Sequence, residues 1–131
     1  MEQMLRLLMQ RHPDYHHAYN ALGYSLADRN LRLQEARSLI QKALAVDPND
    51  AYILDSMGWV EFRLGNHTEA LRLLLQAFER LPDAEIAAHL GEVHWVLGQR
   101  EQALAVWRQG LELNPDNETL LQTMRRLQVQ P

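Results

Sequence analysis

The 131-residue chain contains no cysteine. Disulfides and thiol chemistry are excluded, while the compartment stays open. Lysine is nearly absent too: Lys42 stands alone against twelve arginines, a bias of GC-rich codons that points to a bacterial genome and not to a function. There is no basic excess, with 13 basic and 17 acidic residues and a formal net charge of −4, so no nucleic-acid footprint is visible. No apolar run reaches the roughly 18 residues that span a bilayer, so this segment is not expected to insert into a membrane. The first residues do not read as a secretory signal. Catalytic signatures are missing as well: there is no glycine-rich phosphate loop, no nucleophile elbow and no paired acid–base motif. Ser25, Ser38 and Ser56 fall within expected helices, with no Ser–His–Asp spacing around them. No enzyme activity, cofactor or metal is expected.

What the chain has is periodicity. Pro13, Pro48, Pro82 and Pro115 recur at steps of 33 to 35 residues, counted along the sequence. Leu22-Gly23, Met57-Gly58 and Leu90-Gly91 mark the same interval, as do Ala36, Ala70 and Ala103. A helix-turn-helix unit of about 34 residues has this spacing. In the repeating order Tyr19, Leu22, Gly23, Ala36, Ile40, Ala43 and Pro48 form the first unit, with one extra residue before Ala36. Leu54, Met57, Gly58, Ala70, Leu74, Ala77 and Pro82 form the second, and Ala87, Leu90, Gly91, Ala103, Trp107, Gly110 and Pro115 the third.

In these residues the chain resembles the tetratricopeptide repeat (TPR) family, and the match covers nearly its whole length. The resemblance implies an all-α, right-handed α-α superhelix of three helical hairpins, each with a helix A and a helix B. Residues 1–13 then read as helix B of a truncated repeat, 14–48, 49–82 and 83–115 as the three repeats, and 116–131 as a capping helix. The small residues Gly23, Gly58 and Gly91 of helix A are expected to face Ala36, Ala70 and Ala103 of helix B and let the backbones approach. Each terminal proline ends helix B. Gly65 and Gly98 sit where the chain reverses and supply positive φ. Repeat one has Asp28-Arg29-Asn30-Leu31-Arg32-Leu33 there instead, with Asn30 expected to take the left-handed conformation.

Met1, Met4, Leu5, Leu8 and Met9 have helical spacing. A helix B without its helix A carries an uncovered apolar face, so the chain is expected to be the C-terminal part of a longer repeat protein; a short protein with its own N-terminal capping helix is the alternative. Asp50 is expected to cap the helix ending at Leu64, and Asn66 with Glu69 has capping-box spacing for the next helix. The final helix, over about 117–128, places Arg125 where the other A helices have glycine. Gln122, Arg125, Arg126 and Gln128 give it the polar outer face of a terminal unit.

The resemblance also implies where a partner docks: helices A line a concave groove. The groove-facing residues carried over from the family pattern are His17, Asn20, Tyr24, Ala27 and Asp28 in repeat one. Tyr52, Asp55, Trp59, Phe62 and Arg63 follow in repeat two, then Glu85, Ala88, Glu92, Trp95 and Val96 in repeat three. The final helix adds Thr119, Gln122 and Arg126. Tyr24, Tyr52, Trp59, Phe62 and Trp95 would form an aromatic stripe, and aromatic anchors are enriched at hot spots. The alternative is that some rings fill gaps between adjacent A helices, Phe62 and Trp95 first. The lysine-rich clamp of the TPR class that holds chaperone tails is absent. A free carboxylate would meet Asp55, Glu85 and Glu92, which favours a mixed apolar and basic ligand segment.

Two smaller constellations stand out. Glu61 and His94 occupy equivalent places in successive repeats, so a hydrogen bond between them is expected. Glu85, His89 and Glu92 share a helix face, yet they lack the further converging ligands of a zinc site and read as a solvated groove wall. The function expected is a non-catalytic scaffold that binds a protein or peptide ligand. Self-association as a homodimer through the exposed N-terminal helix, and a regulatory region of an enzyme, are the alternatives. The wording around Tyr19–Arg29 and Ile53–Val60 is also similar to the last repeats of long TPR proteins of Gram-negative bacteria, several of them envelope adaptors. A cytoplasmic location and a periplasmic or outer-membrane-associated one both stay open.

Overall fold

Eight α-helices follow one another with no strand between them: α1 (Glu2–Arg11), α2 (His16–Asp28), α3 (Leu33–Val46), α4 (Ala51–Arg63), α5 (His67–Arg80), α6 (Ala84–Val96), α7 (Arg100–Leu113) and α8 (Glu118–Arg126). This is a computed structural model that describes residues 1–131. Helices α2–α3, α4–α5 and α6–α7 form tight antiparallel hairpins, and successive hairpins stack through α2–α4, α4–α6 and α6–α8. The fold is the all-α superhelix expected from the repeat.

The hairpin seams are steric. A Cβ built on Gly23 would lie 2.5 Å from Ile40 Cγ1 and 2.9 Å from the Ala36 carbonyl oxygen, and one on Gly58 would lie 2.7 Å from Leu74 Cγ and 3.3 Å from the Ala70 oxygen. Glycine is required because the partner helix occupies the space of a side chain. The third hairpin differs from expectation: a Cβ on Gly91 would overlap the indole of Trp107, not the backbone at Ala103. Glycine there makes room for a fully buried ring, whose Nε1 donates to the Ala88 carbonyl oxygen at 3.4 Å.

Turns and caps follow local chemistry. Gly65 and Gly98 adopt φ of 92° and 81°, and Asn30 adopts 57° in the turn that has no glycine. Arg32, at φ 41°, is a second left-handed residue there that the sequence did not announce. The Asp50 carboxylate accepts from the N–H groups of Tyr52 and Ile53, and Asp83 does the same for Glu85 and Ile86. Such caps contribute about 1 kcal/mol each.

The capping box at Asn66 does not form. Its amide donates to Glu61 Oε2 at 2.8 Å, its backbone N–H is taken by the Glu61 carbonyl, and Glu69 pairs with Arg72. With the Asn66 N–H already satisfied, Glu69 has no donor to reach back for. The expected Glu61–His94 bond is absent for the same reason. Each side chain folds back onto its own hairpin turn: Glu61 to Asn66, and His94 Nδ1 to Gln99 Oε1 at 2.7 Å. Arg37 completes the Glu61 site with a charge contact of 2.7 Å from its Nε to Oε1.

Burial is graded along the stack. Central helices α4 and α6 each bury ten of 13 residues, because neighbours cover them on several sides. Helix α1 buries none outright. Leu5 and Met9 rest against the first core cluster, while Met4 and Leu7 are exposed. A polar knot ties α1 down at its edge, where Glu2 accepts from Arg6 and Arg32. These two guanidinium groups, Arg32 foremost, hold the Glu2 carboxyl below its usual range. Helix α8 packs mainly on α6 through Leu120, Thr123 and Met124 and leaves Gln122, Arg125 and Arg126 exposed.

Candidate functional site: the groove of the A helices

Two adjoining clefts open along the face made by α2, α4, α6 and α8, and Tyr24 lines both. The first, of about 300 Å³, lies toward the C-terminal ends of the A helices. Tyr24, Asp28, Trp59, Arg63, His89 and Glu92 form its floor, and Thr119, Gln122, Thr123 and Arg126 of α8 close its far side. The second, of about 180 Å³, lies toward the N-terminal ends, between Asn20, Ala21, Tyr24, Tyr52, Asp55, Ser56 and Glu85.

The floor beneath the clefts is a polar network joining three repeats. His89 Nδ1 lies 2.9 Å from Asp55 Oδ1, and its Nε2 lies 3.2 Å from the Tyr24 hydroxyl. Trp59 stacks on the imidazole at 4.2 Å between centroids, with Phe62 stacked on its indole at 5.1 Å. Trp59 Nε1 donates to Asp28 Oδ1 at 3.3 Å, and Arg63 lies over the indole and donates to the Asp28 carbonyl oxygen. On the far side Arg126 pairs with the buried Glu92 carboxylate, linking α8 to α6.

Burial of these groups sets their protonation. Burial opposes charge on His89, but the carboxylate of Asp55, by charge and by hydrogen bond, outweighs it and raises the imidazole above its ordinary value. Burial raises Asp55 in turn, and the imidazolium holds it back. The Tyr24 phenol is pushed far up, first by burial and then by the Asp28 carboxylate, so it remains a neutral donor. With Nδ1–H turned to the Asp55 carboxylate, Nε2 of the neutral ring accepts from the Tyr24 hydroxyl.

Of the residues expected to face the groove, Tyr24, Trp59, Arg63, Glu92 and Arg126 meet at the first cleft, and Asn20, Tyr24, Tyr52, Asp55 and Glu85 at the second. His17, Phe62 and Trp95 line neither. His17 is exposed at the start of α2 beside His16. Trp95 leans on Trp107 and carries Arg100 over its ring at 4.1 Å. The continuous exposed aromatic stripe is therefore corrected: Trp59 is only 3% exposed, because α2, α6 and Phe62 enclose its ring, and Tyr52, at 53%, is the aromatic that projects freely. Asp55 and Glu92 are floor groups, and Ala27 and Ala88 are wholly buried between A helices. His89 is not a solvated wall but the centre of the floor, 2% exposed. One signal could have found it: His89 lies one residue past the position equivalent to Asp55 in the next repeat, close enough along adjacent A helices for the two side chains to meet.

The architecture defines the class: an α-solenoid of stacked helical hairpins with a concave face built from every other helix. The family model described as Tetratricopeptide repeat matches residues 56–118. Over 89 residues the chain is 54% identical to the TPR repeat-containing protein PA4667 of Pseudomonas aeruginosa; the match covers 68% of this chain and 15% of that protein. Among solved structures it superposes on TTC0263, a thermophilic TPR protein of Thermus thermophilus, with a TM-score of 0.81 and 26% identity, covering 98% of this chain and 72% of the other. It also superposes on YrrB, described as a TPR protein with an unusual peptide-binding site, with a TM-score of 0.73 and 19% identity, over 97% of this chain and 68% of that one. The chain belongs to the tetratricopeptide repeat family.

Proposed function

We propose that this segment is a non-catalytic interaction scaffold that docks a peptide or partner surface in the groove of its A helices. The observation that carries the reading is the adjacency of the two clefts on one face. They share Tyr24, draw on all four A-type helices, and rest on a floor whose aromatic and imidazole groups are held in place by hydrogen bonds between repeats. A pre-organised floor lowers the ordering cost of binding. Tyr52 and Gln122 stand exposed, one at each cleft, where a partner would cover them. The YrrB description supports the reading, since that fold neighbour carries a peptide-binding site.

The test is affinity capture from a Pseudomonas lysate with three baits: the native chain, a Tyr52→Ala, Gln122→Ala variant, and a Leu75→Ser variant altered on exposed α5. A partner held by the native and Leu75→Ser baits and lost by the groove variant supports the proposal. A partner held equally by all three moves the site off the groove. The exposed apolar residues of α1, Met4 and Leu7, favour self-association in that event. A dimer dissociated by Leu7→Glu would establish it.

A further inference from the structure

The two clefts differ in charge. In the first, Arg63 lies against Asp28 and Arg126 against Glu92, so each carboxylate has a cation beside it. The second is lined by two carboxylates, two tyrosines, an asparagine, a serine and an alanine, with no cation on its wall. The Glu85 side chain forms no ion pair or hydrogen bond within the chain; only its backbone N–H is engaged, by Asp83. Asp55 is 95% buried by its 5% exposure, and its carboxylate gives only Oδ1 to His89, leaving Oδ2 without a partner at the cleft. Asn20 Oδ1 is shielded from solvent and also unpartnered. Three acceptors therefore converge on one small cavity whose wall carries no cation to pair with them. Asn20 Oδ1 is the one of the three sealed from solvent, and an unpaired buried acceptor is costly; the two carboxylates stay open to a ligand in the cleft.

The rest of the wall fits the same ligand. Tyr52 and Tyr24 bring aromatic rings to either side. The Tyr52 phenol is raised above its ordinary value chiefly by the Asp83 carboxylate, then by burial and Asp50, so two more acids contribute to the negative potential at this end. A planar cation with several donors satisfies these features together: it can bridge two carboxylates and still lay a face on a tyrosine. An ammonium group is a compact point charge that lacks the flat face.

Resting on the groove reading above, we propose that the cleft between Asn20, Tyr52, Asp55 and Glu85 takes the guanidinium of an arginine side chain on the docked polypeptide. The first cleft, with its charges already neutralised, takes the neighbouring uncharged part of the same segment. Arginine thus sets the register of the partner along the groove.

The test is a solution NMR titration of the whole chain with N-acetyl-arginine methylamide, run beside the uncharged isostere N-acetyl-citrulline methylamide and the corresponding lysine compound. The expected result is saturable shifts at the Asn20, Ser56 and Glu85 amides with the arginine probe. Binding should be about tenfold weaker with citrulline, the scale of one charge-assisted hydrogen bond. Glu85→Gln, at a half-buried site with no internal partner, should weaken arginine binding by a similar factor and leave the fold intact. Equal binding of citrulline, equal binding of lysine, shifts scattered over other acidic surface, or no shifts at all would each overturn the proposal. If the probe fails while lysate capture still depends on Tyr52 and Gln122, the groove reading stands and the arginine assignment falls.

Discussion

The hairpin seams and the groove floor solve the same problem, holding helices together, by opposite means. In the seams, Gly23, Gly58 and Gly91 face Ile40, Leu74 and Trp107, and the contact is apolar and steric. Across the floor, adjacent A helices meet through Asp55, His89, Tyr24, Asp28 and Arg63, and the contact is hydrogen-bonded and partly charged. A seam faces only its own hairpin and has nothing to present to solvent. The floor lies under a cleft and presents oriented donors and acceptors at its upper surface, with their burial below offset by bonds between repeats. Stability is concentrated in the first and chemical character in the second.

The comparison can be broken at several points. The largest effect is expected for Trp107→Ala, which empties the third seam and should cost about 3–5 kcal/mol in denaturant unfolding. A loss below about 1 kcal/mol would show that the indole is not a seam anchor. Asp55→Ala should come next, at about 3 kcal/mol, since it strands His89 in a buried site. The double variant Asp55→Leu, His89→Phe should recover at least half of that loss, because an apolar pair needs no partners. If the double variant is worse than the single one by the sum of both losses, the floor is not a coupled unit. Gly58→Leu should cost about 1–3 kcal/mol by forcing α4 away from Leu74 of α5, read as a lowered Tm.

A gentler probe uses pH. The imidazole of His89 is raised in the fold above its ordinary 6.5, so the folded chain holds its proton more tightly than the unfolded one. Its stabilising contribution is fully present below about 6.5 and is lost as pH rises through the higher folded value. Asp55 is also raised, from 3.8, so it too lowers stability as pH rises from that point. The Tm should therefore decline above pH 6.5, and His89→Phe should flatten that part of the decline. A Tm that climbs through this window would contradict the assigned pair. The smallest effect is expected at the surface: Arg72→Ala removes an exposed pair with Glu69 and should change stability by no more than about 0.5 kcal/mol.

The same division explains what was legible in the sequence. Glycine, alanine and proline spacings revealed the seams and turns because those features depend on residues within one repeat. The cap at Asp50 was legible for the same reason. The floor was not. Whether Trp59 projects or packs depends on α2 and α6, each a repeat away, and on Phe62 lying over its free edge. His89 looked like a wall residue because its partners, Asp55 and Tyr24, are 34 and 65 residues distant. Glu61 and His94 occupy equivalent places in successive repeats, yet equivalence is not contact: each closes its own turn through Asn66 or Gln99.

The most direct test of the groove as the working face is hydrogen exchange on the chain with and without a partner recovered by the native bait. Slowed exchange concentrated in α2, α4, α6 and α8, with α3, α5 and α7 unchanged, is the predicted result. Protection confined to the B helices, or to α1 alone, would contradict it.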